Sequence, residues 1–389
     1  MVLVNMEYNP ADPKVYQEIK EGLARLVVAQ YEGVPSANMP VFYNSEMSFR
    51  RDVSCAVLRC ISKESAMNRK GRRHIDILDG LSATGVSGIR YSLETPSENM
   101  AITLNDHNPL AYSLIQKNIA INNAQNTFAV RRDLNAVLSE NFYDVIDLDP
   151  FGTPVPYLDA AFQSLKLNGY LFVTATDTGV LCGTFPNTCW RRYMSRTQKT
   201  PFMQETGLRT LIGYCARTAA KYDISIKPLL SYYANHYYRI HLATSRGSGK
   251  ADDALKKLGF ILYNPETAER LITNKPPEGG ERDRIVCLGP LWLERIHDDE
   301  LLMKLTFEPG TVNTDKCRKY RELWYSENKM LPYYYTQKEI GSMFKVGQPK
   351  IAKIIERLRN AGYLASRTHF ASDAFKTNAP PKQIIEILT

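Results

Sequence analysis

The chain has no run of eighteen apolar residues and no basic leader followed by an apolar stretch, so nothing in it reads as a membrane-spanning helix or a secretion signal. Cysteine is scarce. The seven present, Cys55, Cys60, Cys182, Cys189, Cys215, Cys287 and Cys317, are odd in number and no two stand as Cys-x-x-Cys, which argues against disulfide and zinc frameworks alike. Internal repeats and low-complexity tracts are missing as well, which excludes solenoid architectures. The expectation is a soluble, unsecreted, cytoplasmic protein without a structural metal.

With 389 residues the chain exceeds the size at which a single core stops growing, so two domains, or one with a large appendage, are expected. Hydrophobic residues at 44% and charged residues at 23% suit a packed globule. The net charge of +8, from 49 basic and 41 acidic residues, favours a polyanionic partner. Basic residues cluster between Trp190 and Lys221, where Arg191, Arg192, Arg196, Lys199, Arg209, Arg217 and Lys221 face Glu205 alone. Such a run is either a solvated helix face or a nucleic-acid contact.

From His74 onward, short apolar runs alternate with helical stretches: 75–79, 101–104, 127–130, 143–148 and 170–175. That rhythm predicts a parallel sheet covered on both faces, a doubly wound α/β fold. Residues 224–233 and 237–244 then form two β-rich runs so close together that only an antiparallel hairpin can join them. Arg246-Gly247-Ser248-Gly249-Lys250 reads as a flexible basic link, dividing a catalytic domain over 1–245 from a smaller α+β domain over 246–389. In the latter, 259–295 looks like small strands and loops and 315–330 like a charged helix. Thr336-Gln337-Lys338-Glu339 is a capping box opening one helix. After a turn at Val346-Gly347, a second helix over 348–361 places Ile351, Ile354, Ile355 and Leu358 on one face. Gly362 then stops it and a strand begins at Tyr363. This order over about 331–370 is that of a winged helix-turn-helix, with Lys350, Lys353, Arg357 and Arg359 on the second helix.

The chemistry gathers where strands end. Asp79-Gly80-Leu81-Ser82-Ala83-Thr84-Gly85-Val86-Ser87-Gly88 links a strand to a helix through small residues, allowing backbone to approach a nucleotide-like ligand. Asp106 ends the next strand, where an acid can accept from ribose hydroxyls, and Asp133 follows the third. Three acids at successive strand ends would line one crevice of an open α/β sheet. Asp147-Leu148-Asp149-Pro150-Phe151-Gly152 then brings a carboxylate, a proline and an aromatic ring to the same mouth. A base's exocyclic amine is a poor nucleophile because its lone pair is delocalised. Asp149 and the Pro150 carbonyl could each accept one amino N–H, localising the lone pair, and the carboxylate could take up the released proton. Phe151 would stack on the base.

Together with Val41-Phe42-Tyr43-Asn44, Arg51-Asp52, Asn105-Asp106, Thr174-Ala175-Thr176-Asp177, Leu181-Cys182-Gly183, Tyr232-Tyr233, Gly289-Pro290-Leu291-Trp292 and Arg367-Thr368-His369-Phe370, these segments resemble the tRNA guanine-N2 dimethyltransferases that modify position 26, in their archaeal form. The resemblance implies a class I, Rossmann-like methyltransferase whose parallel sheet ends in an antiparallel hairpin, with S-adenosyl-L-methionine as cofactor and tRNA as partner. It implies that Arg51, Asp79, Asp106 and Asp133 bind the cofactor, with Ser82 and Gly85 of the loop, Arg90 of the following helix and Leu134 beside them. It makes Asp149 the catalytic acceptor with Pro150, and has Phe42 and Phe151 sandwich a flipped guanine. Arg191, Arg192, Arg196, Lys199, Lys350, Lys353 and Arg367 are expected to hold the RNA. Some relatives carry a four-cysteine zinc ribbon before the Gly-Pro-Leu-Trp segment; here that region has Cys287 alone, so no metal is expected. Two other readings are an adenine or cytosine amino-methyltransferase acting on DNA or RNA, and a nucleoside-sensing winged-helix regulator.

Overall fold

A computed structural model of the chain describes residues 16–30, 39–68, 74–95, 99–276, 285–307, 310–344 and 349–388. An N-terminal hairpin, β1 (Tyr16–Glu21) and β2 (Ala24–Ala29), precedes the long helix α1 (Ser48–Asn68). An alternating series follows: β3 (Ile75–Asp79), α2 (Val86–Glu94), β4 (Met100–Asn105), α3 (Pro109–Ile121), β5 (Thr127–Val130), α4 (Leu134–Glu140), β6 (Tyr143–Leu148), α5 (Val155–Ser164) and β7 (Leu165–Ala175). Helices α6 (Thr178–Leu181), α7 (Pro186–Tyr193) and α8 (Met203–Ala220) lead to β8 (Ile224–Ala234) and β9 (Tyr237–Arg246).

The main sheet runs β5-β4-β3-β6-β7-β9-β8. The β3–β4, β3–β6 and β4–β5 pairs are parallel, while β8 and β9 pair antiparallel as the close spacing of their runs requires. Strands covered on both faces need continuous apolar runs, and all six residues of β6 are buried. The chain order reverses between β3 and β6, and a ligand crevice in such sheets opens at the carboxyl ends of the strands flanking that switch. The N-terminal hairpin has a small core of its own, in which Tyr16, Val27 and Ala29 pack with Val41, Ala111 and Leu114.

Beyond β9 come α9 (Ser248–Leu255), the antiparallel sheet β11-β10-β12 formed by β10 (Leu258–Tyr263), β11 (Arg270–Thr273) and β12 (Val286–Trp292), then α10 (Asp299–Lys304) and α11 (Thr314–Glu327). The winged unit consists of β13 (Tyr335–Thr336), α12 (Gln337–Phe344), α13 (Ile351–Asn360), β14 (Ala365–Arg367), β15 (Ala374–Thr377) and α14 (Pro381–Leu388), with sheet order β13-β15-β14. Its expected turn at Val346-Gly347 lies outside the described residues. Ile351, Ile354, Ile355 and Leu358 are all buried.

Two expectations need correction. The link at 246–250 carries regular structure, because β9 runs to Arg246 and α9 opens at Ser248. The capping box is half made: Thr336 Oγ1 accepts from Glu339 N at 3.1 Å, but the Glu339 carboxylate is drawn to Arg270 at 2.6 Å and to Tyr263. A buried guanidinium outcompetes a backbone N–H for that carboxylate.

By compactness the chain divides into two units, each assembled from three segments. One comprises Met1–Phe151, Gln163–Leu171 and Lys304–Arg318; the other comprises Gly152–Phe162, Phe172–Met303 and Lys319–Thr389. Among the described residues no helix is long and apolar enough to cross a membrane.

Candidate active site

Asp79 closes β3 and is buried. Its Oδ2 accepts from Gly88 N at 3.1 Å, and Ser82 Oγ returns a bond to its carbonyl at 2.7 Å. Gly85, at φ +79°, turns the loop into α2 through a left-handed conformation that a side chain would resist. Asp106, at the end of β4, spans two segments: Oδ2 accepts from Ala83 N and Oδ1 from Asn108 N, both at 2.9 Å. Asp133 is exposed and caps α4 through Ala136 N, while Leu134 is buried. A Cβ at Gly80 would lie 3.0 Å from Leu134 Cδ1, so the bare backbone lets α4 close against the loop.

Gly80 N donates to the Asp147 carbonyl at 3.0 Å, which seats the β6 terminus beside this loop. Three carboxylates therefore crowd together, and the sequence did not reveal what keeps them there. Arg50 of α1, 1% exposed, places Nη2 2.9 Å from Asp149 Oδ2 and Nη1 3.9 Å from Asp147 Oδ2. Its Nη2 also donates to Ser87 Oγ at 3.0 Å, and Tyr91 OH donates to Asp147 Oδ2 at 2.6 Å. Burial and the neighbouring Asp147 push the Asp79 carboxyl up to about 7, against the pull of Arg50.

Phe42 and Phe151, expected to sandwich a base, lie instead against each other, edge to face, with ring centroids 4.5 Å apart and planes at 79°. Rings in mutual contact leave no gap for a base between them. Phe151 is 55% exposed and is the ring with room to turn.

Arg51 and Arg90 are held elsewhere. Arg51 grips Glu21 of β1 with two 2.6 Å bonds and donates to the Asn44 carbonyl at 2.9 Å. Arg90 is fully buried and reaches Glu94 at 2.7 Å, Glu21 at 2.9 Å, Asp52 at 2.6 Å and the Gly310 carbonyl at 3.0 Å. The structure thus gathers Phe42, Asp79, Ser82, Gly85, Asp106, Leu134, Asp149, Pro150 and Phe151 around the β3 and β6 termini, with Asp133 on the rim. The hydrogen bonds of Arg51 and Arg90 run to a network next to that cluster, not to the loop.

The basic run separates in the same way. Arg191, Arg192, Arg196 and Lys199 are exposed. Arg209 is buried on Glu205 and the Trp292 carbonyl, Arg217 caps α7 at the Tyr193 and Met194 carbonyls, and Lys221 pairs with Asp159. In the winged unit Lys350, Lys353 and Arg367 are exposed, whereas Arg357 and Arg359 bind carbonyls of Leu388 and Ala365.

Among the described residues one cluster, His297, Glu327 and His369, has the spacing of metal ligands. Its hydrogen bonds do not suit a cation. His297 Nδ1 accepts from Ser231 N and His369 Nε2 from Tyr233 N, which puts the ring protons on His297 Nε2 and on His369 Nδ1, the latter facing Glu327. Lys376 Nζ also stands 3.8 Å from Glu327 Oε2. Burial above all holds the His297 imidazole well below its ordinary range.

A parallel sheet reversing between β3 and β6, ended by an antiparallel hairpin, with a small-residue loop and acids at the strand termini, is the fold of class I methyltransferases. The family model for N2,N2-dimethylguanosine tRNA methyltransferase matches residues 22–389. The tRNA (guanine(26)-N(2))-dimethyltransferase of Thermococcus kodakarensis is 36% identical, with 95% of this chain and 98% of that protein covered; its Methanosarcina barkeri namesake is also 36% identical, with 96% and 98% covered. The structure of Trm1 from Pyrococcus horikoshii in complex with S-adenosyl-L-methionine is similar at a TM-score of 0.84 and 32% identity, covering 96% of this chain and 100% of that one. The chain belongs to the N2,N2-dimethylguanosine tRNA methyltransferase family.

Proposed function

We propose that this chain transfers methyl groups from S-adenosyl-L-methionine to the exocyclic N2 of guanosine 26 in tRNA, giving N2-methyl- and then N2,N2-dimethylguanosine. One observation carries the reading: Asp149-Pro150-Phe151 leaves β6 against the Asp79 loop with its carboxylate held 2.9 Å from Arg50. The donor set fits the cofactor. Asp79 and Asp106 offer acceptors to its cationic and hydroxyl groups, the Ser82–Gly85 backbone and Leu134 line the approach, and Asp133 stands at the open end. Bound S-adenosylmethionine supplies an electrophilic methyl group.

The chain's own residues do the rest. With Oδ2 committed to Arg50, Asp149 presents Oδ1 to one amino hydrogen while the Pro150 carbonyl accepts the other, so the nitrogen lone pair is directed out of the base plane. After transfer the carboxylate takes up the released proton. Phe151 turns off Phe42 so that the extruded guanine can stack. Arg51 fixes the segment that carries Phe42 through the Asn44 carbonyl, and Arg90 anchors α2 behind the loop. Arg191, Arg192, Arg196, Lys199, Lys350, Lys353 and Arg367 contact phosphates, which makes binding steeply dependent on salt. The substrate assigns the protein to the cytoplasm, where tRNA matures.

The test is to digest tRNA methylated by the purified protein and identify the product by mass. Dimethylguanosine that disappears when guanosine 26 is replaced, and falls by about a hundredfold or more in Asp149→Ala, is the expected result. Methyladenosine or methylcytidine would overturn the base assignment.

A further inference from the structure

Residues 185–199 combine features that a phosphate-binding strip alone does not need. Phe185 is 57% exposed, Trp190 46% and Met194 50%. Three large apolar side chains bare to water within ten residues are an unusual local concentration, where single exposed ones are commonplace. The same stretch carries Arg191, Arg192, Arg196 and Lys199, all exposed, with Arg192 Nη1 3.3 Å from Asp177 Oδ2. The Arg196 guanidinium lies 5.9 Å from the centre of the Trp190 ring, so the aromatic face is already paired with a cation.

The helix that presents this face is firmly held from behind. Cys189 and Tyr193 of α7 are buried. Tyr193 OH donates to Asp177 Oδ1 and bonds Thr153 Oγ1, both at 2.8 Å, and Arg217 caps its carboxyl end. Backbone bonds of 2.8 and 2.9 Å between Arg196 and Gly289 pin the exit. Thr153 stands two residues along the chain from Phe151. Exposed aromatics on a rigid support, interspersed with cations, have the composition of a stacking platform for unpaired bases.

We propose that Trp190 and Phe185 form such a platform, on which an unstacked base of the tRNA rests while Arg191, Arg192 and Lys199 hold the flanking phosphates. This rests on the reading that tRNA is the substrate. Extruding a base for reaction leaves its neighbours without stacking partners, and an indole face replaces that contact without regard to sequence.

The three tryptophans make the test direct. Trp292 and Trp324 are 2% and 0% exposed, so water-exposed emission reports Trp190. Titration with unmodified tRNA transcript is expected to quench that component. Trp190→Ala should weaken tRNA binding by about 5- to 100-fold at an unchanged salt slope, and Trp190→Phe should keep most of the affinity while removing the quench. Arg191→Ala should instead lower the salt slope by about one. Unquenched emission together with wild-type affinity in Trp190→Ala would overturn the platform, even where the protein still methylates guanosine 26. Quenching by tRNA without methylguanosine formation would leave the platform standing and overturn the proposed reaction. A blue shift on anionic phospholipid vesicles, with no response to tRNA, would reassign these side chains to a membrane surface.

Discussion

Adjacent arginines serve opposite arrangements. Arg51 joins Arg90 in a network where Glu21, Glu94 and Asp52 together face two guanidiniums, and the main-chain and side-chain amides of Asn313 satisfy what remains of Asp52. Arg50 stands almost alone against Asp79, Asp147 and Asp149, helped by Tyr91. Where carboxylates are nearly matched by cations their charge is locked and the group is structural: burial raises the Glu21 pKa, and Arg51 and Arg90 outweigh it to bring it below the ordinary range. Where they are undermatched, one of them is left poised near neutrality. Buried charge alone does not mark an active site; incomplete neutralisation does.

The largest expected effect breaks the matched side. Arg90→Met takes a shared cation from three buried carboxylates, leaving Glu21 to Arg51 and Asp52 to the Asn313 amides, and should cost about 3–5 kcal/mol of stability, read by urea unfolding. If the loss were under about 1 kcal/mol, the network would not be holding the hairpin. A second matched cluster follows the same rule. Burial raises the Glu327 carboxyl, but His369, Lys376 and the Thr368 hydroxyl overcome it and bring it from the ordinary 4.5 down to about 2. A depressed acid stabilises above its unfolded value, so this contribution, on the order of 3 kcal/mol, is present above about pH 4.5 and fades as pH falls toward 2. Glu327→Gln should be less stable at neutral pH and flat across that window, as acid titration of the circular dichroism would show.

On the undermatched side, Arg50→Gln should also lower stability, since Asp147 loses a buried cation, while methyl transfer drops by about tenfold to a hundredfold. Without its guanidinium the Asp79 carboxyl climbs above about 7, so affinity for S-adenosylmethionine should weaken at neutral pH and recover at alkaline pH. An unchanged pH profile would separate Arg50 from Asp79. The smallest effect has the opposite sign. A raised acid binds protons in the folded state, so Asp79 costs stability as pH rises from about 4 to about 7. Asp79→Asn should therefore stabilise the protein by about 1 kcal/mol at neutral pH and abolish cofactor binding, as differential scanning calorimetry and equilibrium dialysis would show.

Much of this was legible in the residues, unevenly. Strands β3, β5 and β6 begin and end where their apolar runs do; for β6, buried at every position, a parallel strand covered on both faces tolerates nothing else, whereas β5 is an edge strand with Phe128 exposed. The hairpin β1–β2 is weakly marked: β2 has a buried apolar run at Leu26–Ala29, but β1 is mostly exposed and charged, and the turn between them shows only in Gly22 at φ +60°. Arg50 and Arg51 are chemically identical neighbours on one helix, about 100° apart around its axis, and only packing decides which meets Asp149. The seven basic residues after Trp190 likewise look alike until Glu205, Asp159, Asp177 and two backbone carbonyls claim four of them. Trp190 carried no signal of its own, since a tryptophan in a helix is ordinarily core.

The discontinuity of the unit that holds the site has a consequence for how the protein comes into being. Its first segment ends at Phe151, yet Gly310 and Asn313, which complete the partners of Arg90 and Asp52, belong to its last, Lys304–Arg318. A ribosome working at about 5–20 residues per second needs on the order of ten seconds to supply that segment. Through that interval Arg90 and its carboxylates lack their final partners. The nascent sheet therefore waits on the far end of the message, and a polypeptide terminated at residue 245 would lack the means to close its own charge network.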